Sequence, residues 1–275
     1  MKKEEAMRQI KHVQSIERAL NILELMAEIG EPLTVTELAE KLDLKISTAH
    51  RLLTTLMHRG YVEQEPDNSR YRLGLKVLEI ANAALALFDI RTVVRPFLEE
   101  LVERCNETAN LAVLDETEIV YIDQVESHNY IIVKMSAQIG NRNPVHCTAS
   151  GKALLAYQSE KKIENILANI ELTRHTDNTI VDRRLLRKEL AKIKKAGYAI
   201  DFGELEEHVR CVAAPIFNYE GRAVASLSVS GPSNRITADF MNSELAALTR
   251  EAASVSGISY VMELDKEEAE KILEM

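Results

Sequence analysis

The sequence is poor in cysteine and contains no long apolar run. Its three cysteines (Cys105, Cys147 and Cys211) are too few and too scattered over 275 residues to form a disulfide framework, which favours a reducing compartment. No window approaches the roughly 18 consecutive apolar residues that cross a membrane, and the start Met-Lys-Lys-Glu-Glu does not resemble a secretion signal. These absences predict a cytoplasmic protein without a membrane partner.

A general excess of positive charge is also missing, because the formal net charge is −9. Residues 1–75 are close to neutral, and the remainder carries most of the excess acid. One stretch nevertheless lacks acidic residues altogether: none lies between Leu44 and Val62, where Lys45, Arg51 and Arg59 occur. A surface that contacts phosphates has to exclude carboxylates, so this local segregation of charge indicates a nucleic-acid contact.

Length and composition are those of an ordinary globular protein. Hydrophobic residues make up 46% of the chain and charged residues 28%, and 275 residues suffice for two domains with separate cores. There is no internal repeat and no low-complexity tract. The sequence therefore predicts two folded domains, and the motifs decide what each of them does.

Residues 15–29 predict an N-terminal helix with Ser15 as its N-cap, and its apolar positions are Ile16, Ala19, Leu20, Leu23 and Met26. Residues 34–74 predict a helix, a tight turn, a second helix and a two-stranded hairpin. In the helix before this turn, Thr36 is the expected N-cap, with Glu37 in the first turn of the helix, where the helix dipole favours negative charge. Asp43 then interrupts the apolar pattern, and Asp tolerates the left-handed conformation that a short turn between helices needs. The second helix is expected to bury Ile46, Ala49, Leu53 and Leu56.

The outward face of the second helix carries small hydroxyls and a guanidinium, which suit a DNA groove. The hairpin adds Arg70 and Arg72, two residues apart and therefore on one face of a strand. The predicted DNA-binding residues are Lys45, Ser47, Thr48, His50, Arg51, Thr55, Arg70 and Arg72. The alternative is an amphipathic helix pair inside a larger domain, with these side chains as ordinary solvated surface.

Two further helices and a series of strands follow the hairpin. Residues 75–88 form a strongly helical run with a wide apolar stripe, interpreted as a linker helix that packs against a second copy; the alternative is a core helix of one domain. Residues 91–106 predict another helix. Strands are then predicted at 111–114, 118–125, 130–135, 198–202, 210–217 and 223–230, and helices at 150–157, 159–168, 182–196 and 236–264.

Three separated blocks resemble the IclR family of transcription regulators. The first comprises residues 15–23 with Leu38-Ala39-Glu40 and Ser47-Thr48-Ala49-His50-Arg51-Leu52-Leu53, and it resembles the family's winged helix-turn-helix. The second (residues 144–156, PVHCTASGKALLA) and the third (residues 209–217, VRCVAAPIF, followed by LSVSGP) resemble its effector domain. Where the family often has Gly in the turn and Pro-Lys before the Ser-Thr pair, this chain has Asp43 and Lys45-Ile46.

The resemblance implies a fold and a function. The expected fold class is α+β, with a winged helix-turn-helix domain (1–74), a linker helix (75–90) and a GAF-like effector-binding domain (91–275). The expected function is regulation of transcription by a homodimer or homotetramer, which binds a palindromic double-stranded DNA operator and a small-molecule effector. No cofactor is expected.

A candidate effector site follows from the same resemblance. Ser228 and Ser230 face the same way along a predicted strand, and Ser150-Gly151-Lys152 opens a helix whose free N–H groups suit an anion. The resemblance assigns Asp201, Cys211, Ser228 and Ser230 as side-chain contacts of a small organic or sugar acid, and Gly140 and Asn141 as backbone donors. The alternative for each serine is a satisfied core hydroxyl.

The sequence also contains residues that suit a metal site, an enzyme or a redox sensor. His146, Cys147, Asp201, His208 and Cys211 are residue types that ligate metals, but His208 and Cys211 have no second compact pair beside them, so no metal site is predicted. An enzyme that uses the sheet pocket would need a nucleophile motif such as Gly-x-Ser-x-Gly, which is absent. Two alternatives stay open: an enzyme that uses the sheet pocket, with the N-terminal helices as dimerisation arms, and a redox or metal sensor, in which Cys147 and Cys211 oxidise in the redox case.

Overall fold

The computed structural model describes residues 13–85, 89–127, 135–218 and 220–257. The chain divides between Leu87 and Phe88 into two compact units. Helices dominate the first unit and a six-stranded sheet the second, so the predicted α+β class is confirmed. No helix in the described ranges is both long and apolar enough to cross a membrane.

The first unit begins with helix α1 (Gln14–Ile29), followed by α2 (Val35–Lys41) and α3 (Ile46–His58). Gly30 ends α1 in the left-handed conformation at φ 71°, and its N–H donates to the Met26 carbonyl. The predicted Ser15 cap is wrong, because Val13 occupies the cap position and makes no side-chain hydrogen bond to the helix start within the described part of the chain.

Individual residues determine where α2 begins and how the chain turns after it. Thr34, not the expected Thr36, is the N-cap: its hydroxyl accepts the Glu37 N–H, while the Glu37 carboxylate accepts the Thr34 N–H at 2.7 Å. This reciprocal capping box satisfies two donors that the helix start would otherwise leave unpaired. Asp43 adopts φ 50° in the turn before α3, as its residue type predicted.

The core of the first unit contains Ile22, Met26, Leu38, Leu53 and Tyr71. Three predicted core residues are instead exposed: Ile16 (57%), Leu20 (50%) and Ile46 (54%). The physical reason is that the apolar stripes on α1 and α3 are wider than the faces that neighbouring elements cover.

A short hairpin and one further helix complete the first unit. Strands β1 (Val62–Gln64) and β2 (Tyr71–Leu73) pair antiparallel, so that Glu63 lies opposite Arg72. A Cβ on Gly74 would lie 2.3 Å from the Gly60 carbonyl oxygen, so only glycine fits where the hairpin leads into helix α4 (Lys76–Leu85). Leu75, Leu78 and Ile80 of this last segment are exposed.

The second unit is built on an antiparallel six-stranded sheet in the order β5-β4-β3-β8-β7-β6. Its strands are β3 (Thr108–Asp115), β4 (Glu118–Val125), β5 (Arg142–Pro144), β6 (Ala199–Asp201), β7 (Val209–Phe217) and β8 (Ala223–Pro232). The strand predicted at 130–135 lies almost wholly outside the described residues. The edge strand β5, which pairs with β4, is not among the strands that the sequence predicts.

Helices cover the sheet and pack mainly against named strands. Helix α5 (Asp89–Cys105) packs on β3 and β4, while α6 (Ala149–Ala156) packs on β7, β8 and helix α8 (Arg183–Ala196). Helix α7 (Glu160–Asn169) precedes α8. The last helix begins at Ala238–Phe240, widens to π geometry over Met241–Leu245 and continues through residues 246–257. Its predicted end at 264 lies outside the described residues.

Candidate functional site

Helix α3 presents one face to the first unit's core and the opposite face to solvent. Ala49, Leu53 and Leu56 are buried, and Ser47 and Arg51 lie roughly opposite them on the helix. Lys45, Ser47, His50, Arg51 and Thr55 are exposed, and Thr48 is partly buried. The structure therefore brings these six predicted DNA-binding residues onto one continuous accessible surface without a carboxylate from α3 itself.

Two threonines on α3 already use their hydroxyl protons. Thr54 donates to the His50 carbonyl at 2.8 Å, and Thr55 donates to the Arg51 carbonyl at 3.0 Å. In this rotamer, Thr55 offers only an acceptor to a DNA base, because its proton is bound within the helix. Arg51 takes part in no ion pair within the described ranges, so its five donors remain available.

The two hairpin arginines have different environments. Arg70 donates to the Pro32 carbonyl at 2.8 Å and lies 3.4 Å from the Glu37 carboxylate, so it ties the hairpin to the start of α2. Arg72 pairs with Glu63 across the strands at 3.0 Å, and 58% of its side chain is exposed. The geometry makes Arg72 the more accessible of the two for a phosphate, whereas Arg70 supports the fold.

A cavity in the second unit lies between the sheet and the start of α6. The space between its atoms is about 380 Å³, part of it open to solvent. Four of the six predicted effector contacts line it: Asp201, Cys211, Ser228 and Ser230. The strand register explains their convergence, because Asp201 lies opposite Cys211 and Cys211 lies opposite Ser230, which places the three side chains in one row across β6, β7 and β8.

The structure does not support the prediction that Gly140 and Asn141 act as backbone donors to the effector. Gly140 and Asn141 are not among the lining residues, and their N–H groups already donate to the carbonyls of Tyr121 and Gln138. The turn that leads into β5 consumes both donors, so neither N–H is free to bind an effector.

The start of α6 offers donors in their place. Ala149 and Ser150 line the cavity, and neither first-turn N–H has an acceptor among the described residues. Thr148 caps the helix by accepting the Gly151 N–H. The buried Ser150 hydroxyl likewise lacks a partner within the described ranges. The sequence marks the helix start at Ser150-Gly151-Lys152 as suited to an anion, but neither Ala149 nor Ser150 is among the effector contacts that the resemblance assigns.

Hydrogen bonds orient the serine at the far side of the cavity. Asn110 donates to Ser230 Oγ at 2.9 Å, and Gln124 donates to Asn110 Oδ1 at 2.7 Å. Because Ser230 Oγ already accepts one bond, its own proton is free to donate into the cavity. The side chains and the helix start therefore supply several donors around one small space, which suits an anionic group.

The acidic residues beside the cavity are strongly affected by burial. Burial, with Glu204 nearby, raises the pKa of Asp201 to about 7. Glu204 forms a buried ion pair with Lys152, yet burial still holds the pKa of Glu204 above its ordinary value. The Glu204 N–H donates to Asp201 Oδ1 at 2.6 Å, so the Lys152–Glu204 pair fixes the segment that carries Asp201.

The cysteines argue against the redox alternative. Burial, with Asp201 as a secondary cause, raises the pKa of the Cys211 thiol well above its ordinary value and that of Cys147 to about 12. A protonated thiol is the less reactive form. For the metal-competent residues, the only close grouping in the described part of the chain is His146, Cys147 and His175, which includes neither His208 nor Cys211.

Both units match models of known protein families. Residues 15–66 match the family model described as IclR helix-turn-helix domain, and residues 82–257 match that described as Bacterial transcriptional regulator IclR C-terminal. The HTH-type transcriptional regulator XynR of Escherichia coli is 40% identical over 224 residues, which cover 82% of this chain and 88% of XynR.

Solved structures of related proteins resemble this fold over about nine tenths of the chain. The Thermotoga maritima IclR structure has a TM-score of 0.78 at 33% identity and covers 91% of this chain and 100% of its own. An IclR homolog from Microbacterium hydrocarbonoxydans, complexed with 4-hydroxybenzoate, has a TM-score of 0.77 at 28% identity and covers 89% of this chain and 98% of its own.

Proposed function

The chain belongs to the IclR family of bacterial transcriptional regulators, and from this premise we propose that a small organic acid, bound in the cavity beside α6, sets its affinity for an operator. As a family member it is a regulator with a helix-turn-helix domain and a C-terminal effector domain. The enzyme interpretation is thereby set aside. We retain the division into 1–74, 75–90 and 91–275 as part of the proposal.

The proposed DNA contact is the outer face of α3, with Arg72 on the hairpin. A single unit that is close to neutral overall binds a polyanion weakly, so we infer that two copies engage a palindromic site together. The exposed Leu75 and Leu78, three residues apart at the start of α4, supply an apolar surface on which a second copy packs in a dimer or tetramer. We expect the protein to act in the cytoplasm.

The unpartnered donors at the start of α6 are the observation that carries the effector assignment. A buried Ser150 hydroxyl and the N–H groups of Ala149 and Ser150, which have no acceptor within the described ranges, line a cavity that Ser228 and Ser230 also line. Unpaired buried polar groups are costly, so this arrangement favours a ligand that supplies acceptors. A carboxylate does so, and the relative solved with 4-hydroxybenzoate makes small organic acids the class to screen first.

The serines on β8 provide the direct test of the effector site. Replacing both Ser228 and Ser230 by Ala is expected to leave operator affinity unchanged while weakening effector binding by about 10²- to 10⁴-fold, because each of the two lost hydrogen bonds to a charged group contributes about 1.5–3 kcal/mol. Gel-shift titrations without effector, and with the acid found by a thermal-shift screen, measure both quantities.

Ser226→Ala is the matched control for this pair. Ser226 is buried on the same strand but does not line the cavity, and its hydroxyl has no partner among the described residues, so its loss should change neither quantity. An effector response that survives the double substitution would contradict the assigned site. Loss of operator binding and effector response together would indicate misfolding, which circular dichroism detects.

The pH dependence of effector binding tests the role of Asp201. With a pKa of about 7, its carboxyl is largely neutral in mild acid and ionised in mild alkali. A bound carboxylate favours the neutral form, so binding takes up a proton, and affinity should fall by up to about tenfold per pH unit above about pH 7. Isothermal titration calorimetry from about pH 6 to 9 measures the slope.

Asp201→Asn is the control, since an amide has nearly the same shape and does not titrate. It should retain affinity in alkali and abolish the slope. An affinity that rises with pH would instead mean that the ionised Asp201 accepts a hydrogen bond from the ligand, which would reverse the proposed orientation of the acid.

A further inference from the structure

Two histidines and a cysteine meet next to the effector cavity without a role in the function proposed above. One ring nitrogen each from His146 and His175 and the Cys147 sulfur all lie within 4.8 Å of one another. His146 and Cys147 are buried in the segment between β5 and α6, while the exposed His175 comes from the loop between α7 and α8. Residues distant in sequence thus converge on one point.

From this geometry we propose that His146, Cys147 and His175 bind a borderline-soft divalent metal ion of the Zn²⁺ class. Imidazole nitrogen and thiolate sulfur are the donors that Zn²⁺ prefers, and carboxylate-seeking ions such as Mg²⁺ are disfavoured by this set. Three protein donors leave a fourth tetrahedral position, which water or another ligand fills on the exposed side of His175.

A hydrogen bond prepares His146 for this role. Its Nε2 lies 3.1 Å from the Thr173 carbonyl oxygen. Because a carbonyl only accepts, Nε2 carries the proton and Nδ1 keeps its lone pair for the metal. Metal-bound histidines typically donate their second nitrogen to such a backbone carbonyl.

The separation of the donor atoms requires only a small closure. Bonds of about 2.0 Å to nitrogen and 2.3 Å to sulfur place tetrahedral donors roughly 3.3–3.7 Å apart, against at most 4.8 Å here. The backbone around His175 is anchored, since its N–H donates to Thr179 Oγ at 3.0 Å and Thr176 Oγ donates to the Gly203 carbonyl at 2.6 Å. We therefore assign the closure at His175 to rotation of its exposed side chain.

The Cys147 thiol has to lose its proton to bind the ion. Burial is the main cause that raises the pKa of Cys147 to about 12; Asp201 and Glu204 add to the rise and Lys152 opposes it. A bound ion displaces the thiol proton, because coordination stabilises the thiolate directly. The ion would join the loop of His175 to the start of α6, one residue before Thr148 at the cavity wall.

Titration of the full-length, tag-free protein with Co²⁺ tests the site, because Co²⁺ replaces Zn²⁺ and reports thiolate coordination by a charge-transfer band in the near ultraviolet. One equivalent per chain should produce the band, and competing Zn²⁺ should abolish it. Cys147→Ser should remove the band. His175→Ala, an exposed change that leaves the core intact, should weaken Co²⁺ binding by roughly tenfold or more.

The chain offers a matched control for each variant. Cys105→Ser removes a different thiol, and His208→Ala removes a different exposed imidazole; both should bind Co²⁺ as the native chain does. The proposal is overturned if the native protein gives no charge-transfer band, if the band survives Cys147→Ser, or if His175→Ala binds no more weakly than His208→Ala. Circular dichroism confirms that each variant is folded.

Discussion

Replacing Lys152 by Met is expected to destabilise the effector domain by about 3–5 kcal/mol at neutral pH, because it leaves Glu204 buried without a partner. Lys152 is only 1% exposed, and its ammonium pairs with Glu204 and donates to the Ile200 carbonyl at 2.6 Å. Methionine fills a similar volume, so the loss reports the charge and not a cavity.

The destabilisation should also depend on pH. Without Lys152, the folded-state pKa of Glu204 rises further above its unfolded value, so the folded protein binds the proton more tightly. Stability of the variant then falls as pH rises through the interval between the two pKa values, and its deficit relative to the native chain should shrink in mild acid. Urea unfolding measures this by circular dichroism, since the chain contains no tryptophan.

The double variant Lys152→Met with Glu204→Gln provides the control. Removing both charges eliminates the unpaired carboxylate and should recover much of the lost free energy of unfolding. A single variant that loses less than about 1 kcal/mol would contradict the buried pair, as would a double variant no more stable than the single one. Either result would also weaken the inference that this pair positions Asp201.

The sequence correctly predicts features that depend on a single residue type or on the regular spacing of side chains along a helix or strand. Asp43 in the left-handed conformation follows from its side chain, and α8 ends at Gly197 for the same kind of local reason. Ser228 and Ser230 share one face of β8 because side chains alternate between the two faces of a strand. These features do not require knowledge of distant neighbours.

The errors concern residues whose environment is set by other parts of the chain. Ile16, Leu20 and Ile46 have core-like spacing but lie beyond the area that their neighbours cover. Gly140 and Asn141 were assigned as donors by resemblance, yet local turns use both N–H groups. No periodic pattern links His175 to the His146–Cys147 pair, so only the tertiary structure reveals that cluster.

Arg51→Ala is expected to cause the largest loss of operator affinity among single substitutions on α3. Arg51 is exposed on the side opposite the buried Leu53, and no acidic residue lies between Leu44 and Val62 to compete for it. If it reads a base, each copy contributes about 1–3 kcal/mol, so a symmetric dimer loses about 2–6 kcal/mol. Gel-shift or anisotropy titration should then show a loss of roughly 30-fold to 10⁴-fold.

Arg59→Ala is the matched control, because it removes the same charge at the end of the same helix. A phosphate contact at Arg59 would weaken specific and nonspecific DNA alike and reduce the salt dependence by about one unit per copy. Arg51→Ala should instead weaken the operator far more than unrelated DNA. Equal effects of the two substitutions on both DNAs would mean that Arg51 only neutralises phosphate, and that base recognition belongs to Ser47, Thr48 and His50.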